Sequence, residues 1–140
     1  MRKIFFIIFT FSVFMFLACS SEEHKNDIAA AKAAKEYYDS LLAGNSAFFV
    51  LGMYLSDTIP DGYREELEAN AKMFVARQNE EHHGIREIRI LNCVNDTIHV
   101  GKTGQRVHAA NAFLVFCFGD SLNEEVVVPM VEHKGRWLMR

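Results

Sequence analysis

Arg106-Val107-His108-Ala109-Ala110-Asn111-Ala112-Phe113-Leu114-Val115-Phe116-Cys117-Phe118-Gly119 is the stretch on which the fold turns. Read as a strand, it places Val107, Ala109, Phe113, Val115 and Cys117 on one face. Ala110, Ala112, Leu114, Phe116 and Phe118 fall on the other. An antiparallel sheet that covers helices on one side alternates apolar with polar residues. Here both faces are apolar, so both are expected to be covered. Helices can cover the concave side, while the outer side calls for a second subunit or a partner protein.

Downstream of this strand, Gly119-Asp120-Ser121 reads as a turn and Glu124 to His133 as the next strand. Lys134-Gly135 makes a tight turn into a last short strand, Arg136 to Arg140. Pro129 cannot donate to a ladder, so it marks a bulge or an edge. Upstream, Ile85 to Val94 reads as a strand with Ile88, Ile90 and Val94 on one face and Leu91 and Cys93 on the other. A loop containing Gly101 and Gly104 follows it.

Before Gly84 the composition changes to alanine, glutamate and lysine. A first helix is predicted from Asp27, a fair N-cap, to Ala43, with Gly44 ending it. Ala30, Ala34, Tyr37, Tyr38, Leu41 and Leu42 form its apolar stripe. A short, almost wholly apolar helix covers Ser46 to Leu55. A third runs from Pro60 to His83, with Tyr63, Leu67, Ala71, Phe74 and Val75 as its buried face. Glu65 and Glu66 near its start, and histidines near its end, suit the helix dipole. Helices followed by strands make an α+β domain rather than alternating βαβ units.

The beginning of the chain reads as an export signal. Arg2 and Lys3 precede an uncharged, mostly apolar run from Ile4 to Ala18 that is too short to span a bilayer comfortably. Phe16-Leu17-Ala18-Cys19 resembles a lipobox, which makes Cys19 the expected lipidation site; an ordinary secretory peptide is the alternative. The chain thus divides into a signal peptide at 1–18, a lipidated tether at 19–26 and a domain at 27–140. Cleavage lowers Lys plus Arg from 15 to 13 against 18 Asp plus Glu, moving the formal net charge from −3 to −5. An acidic domain is repelled by nucleic-acid phosphates and anionic headgroups, so no nucleic acid is expected as a partner. The membrane is reached through the N-terminal lipid instead. Ser20-Ser21-Glu22-Glu23 resembles the acidic export tag of some lipoproteins of Bacteroidota-type envelopes. The implied address is the cell envelope, as an outer-membrane lipoprotein that is periplasmic or surface-exposed.

The helices, the meander of strands and the Gly135-Arg136-Trp137 hairpin together resemble the nuclear transport factor 2-like superfamily, over about Asp27 to Arg140. Three segments are similar to an uncharacterised bacterial lipoprotein family within it: Tyr37-Tyr38-Asp39-Ser40-Leu41-Leu42-Ala43-Gly44, Ile59-Pro60-Asp61-Gly62-Tyr63-Arg64 and Val127-Val128-Pro129-Met130-Val131-Glu132. The resemblance implies N-terminal helices packed in the concave face of a strongly bent antiparallel sheet, a cone with an apolar pocket. Some members are isomerase- or cyclase-like enzymes and others only bind ligands or partners, so the fold alone assigns no activity.

Chemistry in such a cone needs a carboxylate or histidine base and a donor to an enolate. The polar residues available on core elements are Tyr37, Tyr38, Tyr63, His108 and Asn111, with Asp57 in a loop and Asp39 on the first helix. No carboxylate matches a catalytic motif, and the tyrosines also read as packing residues. Glu80-Glu81-His82-His83 lacks a metal-site spacing, because adjacent helical histidines diverge and Glu80 with His83 wants a third ligand. Neither a metal nor a cofactor is expected. Cys93 and Cys117 belong to an oxidising compartment. A hairpin centred near Gly101 would set Cys93 opposite about Ala109 and keep the two thiols apart, as small buried hydrophobes.

The leading expectation is a non-enzymatic module that binds a small apolar ligand or a protein, with a homodimer or protein partner on the outer sheet face. The alternatives are a small pocket enzyme acting on an apolar carbonyl compound and a structural subunit of an envelope assembly.

Overall fold

The computed structural model describes residues 28–140. The expected signal peptide, lipidation site Cys19 and tether lie outside the described residues, and the first helix is capped not by Asp27 but by Ile28, which makes no side-chain cap bond. Helix α1 (Ala29–Leu42) buries Ala30, Ala31, Ala34, Tyr37 and Leu41. Three of these are alanines with no exposed surface, which allows the helix to sit close against the sheet. It ends as Gly44 predicts: the Gly44 N–H donates to the Leu41 carbonyl and the Asn45 N–H to the Ser40 carbonyl, the paired bonds of a Schellman motif.

Helix α2 (Ser46–Leu51) starts at Asn45, whose side chain accepts from the Phe48 N–H. It is shorter than the predicted span to Leu55. The chain leaves it at Gly52 to pair with the last strand: the Met139 N–H donates to the Gly52 carbonyl and the Tyr54 N–H to the Met139 carbonyl. Met53 and Met139 thus form a parallel bridge. Sequence periodicity cannot register a competing partner that lies at the far end of the chain.

Helix α3 (Asp61–His82) matches its predicted bounds closely and, except at Tyr63, its predicted face. Only Ala71 is buried; Leu67, Phe74 and Val75 are half-buried against the core, and Tyr63 is exposed. The helix is therefore a lid resting on the core by one narrow strip. Its C-terminal end is fastened at the turn around Gly119 and Asp120, where the Asp120 N–H donates to the His82 carbonyl and the Gly119 N–H to the Gly84 carbonyl. A Cβ at Gly119 would collide with the His83 backbone carbonyl, so the approach requires glycine.

The sheet is an antiparallel meander, in the order β1 (Ile85–Val100), β2 (Gln105–Phe118), β3 (Asn123–His133) and β4 (Arg136–Met139). β1 is longer than predicted and carries two register shifts, between Ile85 and Glu87 and between Ile90 and Asn92. Each bulge bends the strand and reverses which side chains face inward. Ile88, Ile90 and Cys93 consequently lie toward the core, whereas Val94 points outward, 48% exposed. The bulges and a turn centred beyond Gly101 also correct the expected register. Cys93 pairs with Ala112 rather than Ala109, and Cys117 with Glu87, so the two thiols stand far apart on opposite faces. Pro129 sits in β3 without a bulge, in regular register with Asn111. It meets the edge expectation on its other side, where β4 runs out and the Pro129 carbonyl accepts from the Arg140 N–H.

The two faces of β2 differ. Ala110, Ala112, Leu114, Phe116 and Phe118 are all at most 3% exposed beneath the helices. On the outer face Ala109 and Cys117 are buried, but Val107, Phe113 and Val115 are only half-buried, and Val127 beside them on β3 is 48% exposed.

Candidate functional site

Two concavities meet at Tyr54, and strand lengths create both. The pairing of β3 with β4 stops at Met130 and Met139, which leaves Val127 to Pro129 without a strand on that side. Helix α1 brings Tyr38 to this gap, α2 brings Phe49, and the segment after α2 brings Met53, Tyr54 and Leu55. They enclose a mouth pocket of about 300 Å³ whose remaining wall includes Met139 and Arg140. The Tyr38 ring is fixed edge-on against Phe49 and Phe116, with centroids 5.1 and 5.2 Å away. Burial pushes its phenol above the usual tyrosine range. Like any phenol it is protonated at neutral pH, and burial opposes its ionisation further. Among the described residues no Asp, Glu or His side chain lines this space.

The second concavity arises where β2 and β3 part. β1 pairs with β2 out to Val100 and Gln105, but β2 pairs with β3 only as far as Ala109 and Val131. The projecting end of the β1–β2 hairpin and the β3–β4 turn then flank a cleft of about 410 Å³. Its lining includes Arg106, His108, Glu132, His133 and Lys134. Tyr54 forms part of this wall too, with its ring edge-to-face on His133 at a centroid distance of 5.3 Å. Two permanent cations, two imidazoles and one carboxylate make the cleft cationic on a protein whose formal net charge is −3.

The residues singled out from the sequence are not brought into one constellation. Tyr37 is buried, and its hydroxyl donates to the Trp137 carbonyl at 2.8 Å, which ties α1 to β4. Tyr38 lines the mouth pocket and His108 the cationic cleft. Tyr63 lies exposed on α3. Asn111 is half-buried on the outer face, between Val94 and Pro129. Of the Glu80–His83 cluster, His83 leaves the helix in a left-handed conformation (φ 58°), and the His82 Nδ1 lies 2.9 Å from an Asp120 carboxylate oxygen. Among the described residues no group of three or more His, Cys, Asp or Glu could hold a metal ion. Nor, among them, is any helix long and apolar enough to cross a membrane.

Sequence reasoning missed Tyr54, Arg106, His133, Lys134 and Arg140. The two basic hairpin ends at Arg106 and Lys134 were visible one at a time. Their meeting depends on β3 separating from β2, which no local pattern encodes.

No protein-family model matches the chain, and no curated protein matches it in sequence. Among solved structures, the chain is similar to an NTF2-like transpeptidase, so named, from Campylobacter jejuni. The TM-score is 0.58 at 15% identity, covering 77% of this chain and 94% of that one. At that identity the likeness concerns fold alone. The chain has the NTF2-like α+β fold: helices packed in the concave face of a bent four-stranded antiparallel sheet.

Proposed function

We propose that this protein is a cell-envelope lipoprotein, anchored by a lipid on Cys19, whose NTF2-like domain binds a small apolar ligand at the mouth of the cone. The observation that carries the reading is the make-up of the mouth pocket: a mostly apolar lining whose polar members are Tyr38, Tyr54 and Arg140, with no Asp, Glu or His among the described residues along its wall. Orientation by one or two polar groups within an apolar lining is the usual design of a binding site. Isomerase or cyclase chemistry would need a base there. The transpeptidase activity in the neighbour's name would need a nucleophile, and among the described residues the lining offers no Ser, Thr or Cys.

The test is binding of a neutral fluorescent naphthylamine by the protein, with Leu55→Trp, a half-buried loop position on the pocket wall, filling the pocket. Loss of probe binding in that variant, with the melting temperature kept, is the expected result. Binding unaffected by a filled pocket would overturn the reading. For the anchor, Cys19→Ala should yield a soluble or unprocessed protein that no longer partitions into detergent with the membrane fraction; a correctly cleaved variant that still fractionates with membranes would remove the lipid from the account.

A further inference from the structure

Tyr54 is a wall of both concavities, so whatever occupies the apolar mouth pocket ends beside the cationic cleft. The two spaces differ in chemistry, the mouth pocket being mostly apolar with Arg140 as its one charged side chain among the described residues. One offers Phe49, Met53, Leu55 and Val128 to an alkyl chain. The other gathers Arg106, Lys134 and two imidazoles around a single carboxylate, Glu132. Guanidinium and ammonium groups favour carboxylate and phosphate oxygens, and with these they make the stronger, charge-assisted class of hydrogen bond. The backbone adds to this. Gln105 to His108 pair on one side only, because β3 has already diverged. That side of the strand therefore presents N–H and C=O groups toward the cleft.

We infer that the two concavities form one bipartite site for an anionic amphiphile, with the alkyl chain in the mouth pocket, the carboxylate or phosphate head between Arg106 and Lys134, and the Tyr54 ring at the junction. The inference rests on the apolar-ligand reading above and adds a head group to it. A global attraction for anions is not the cause, since the protein as a whole is acidic. The cation cluster is local, placed by the two hairpin ends.

The test uses the full chain in its own membrane, labelled by two photoreactive probes that carry a diazirine in a twelve-carbon chain. One probe is the carboxylate and the other the alcohol. Cross-linked peptides are mapped by mass spectrometry. The carboxylate should label the segments around Tyr38, Met53 and Val128, and Arg106→Gln with Lys134→Gln should lower that labelling by about tenfold, the equivalent of losing one charge-assisted contact. The alcohol should label more weakly and equally in both proteins. Dodecyl phosphate should compete, whereas inorganic phosphate at the same concentration should not. Equal labelling by acid and alcohol, or no effect of the double variant, would overturn the head-group site while leaving the apolar pocket standing. Competition by inorganic phosphate as effective as that by dodecyl phosphate would make the cleft a free-anion site and overturn the bipartite one. Absence of pocket labelling by either probe would overturn the apolar-ligand reading and this inference with it.

Discussion

Replacing Gly52 by alanine tests how α1, α2 and the end of the sheet are held together. Gly52 closes α2 with φ −79° and ψ −4°, a backbone that any L-residue adopts. The obstacle is steric. An added Cβ would stand 2.5 Å from Cδ1 and Cε1 of Tyr37 and 2.7 Å from its Cγ. The ring has little room to retreat, because it is 5% exposed, packs against Phe48 and is held through its hydroxyl by the Trp137 carbonyl. The same glycine also accepts from the Met139 N–H, so moving the backbone instead would strain the bridge to β4. Overpacking of this kind costs about 1–3 kcal/mol. Loss of the Tyr37 hydrogen bond would add about 1 kcal/mol. The sum, roughly 2–4 kcal/mol, corresponds to a fall in melting temperature of about 8–16 °C for a small domain. Gly62→Ala is the matched control, since it too lies on helical backbone but has nothing within 4 Å of the new Cβ. It should be neutral or stabilise by up to about 1 kcal/mol. Thermal and urea unfolding of both variants decide the matter. A Gly52→Ala protein as stable as Gly62→Ala would refute the claim that Tyr37 fixes the junction of α1, α2 and β4.

Two other predictions concern charge and assembly. The hydrogen bond from His82 holds the Asp120 carboxyl below the ordinary aspartate range. A depressed folded-state value gives stability above the unfolded value that is lost as the pH falls through the folded one. The latch between α3 and the β2–β3 turn should therefore weaken only below the ordinary aspartate range, and Asp120→Asn should flatten the acid limb of melting temperature against pH. An unchanged acid limb would count against the latch. The outer sheet face, with Val94 and Val127 each 48% exposed and Phe113 and Val115 half-buried, is proposed as a homodimer interface. Sedimentation of the unlipidated domain at micromolar concentration should give a dimer that Val127→Glu dissociates. A wild-type monomer that binds no hydrophobic dye would end that proposal.

The α+β class, and among the described residues the three helices, four strands and the turns between them, were legible in the sequence, because each is a local pattern. Tyr37 and Leu41 recur at helical spacing, Gly44 stops α1, and Leu114 to Phe118 alternate across two faces. The charge balance and the reading of Cys19 also belong to the sequence alone. What the tertiary structure decided is everything that depends on two distant segments meeting. Bulges at Arg86 and Leu91 reversed the facing of β1, a phase change that periodicity cannot foresee when the flanking residues are mixed. Tertiary pairing with Met139 ended α2 early. Tyr63, the first residue of the predicted apolar stripe of α3, stayed exposed while Leu67, Ala71, Phe74 and Val75 met the core. Arg106 and Lys134 became neighbours of one cleft only because β3 leaves β2 at Ala109 while β1 continues to Gln105. Local sequence sets which way a side chain points along its own element. Where two elements stop pairing is set by the packing of the whole sheet, and in this protein the candidate site lies at those stopping points.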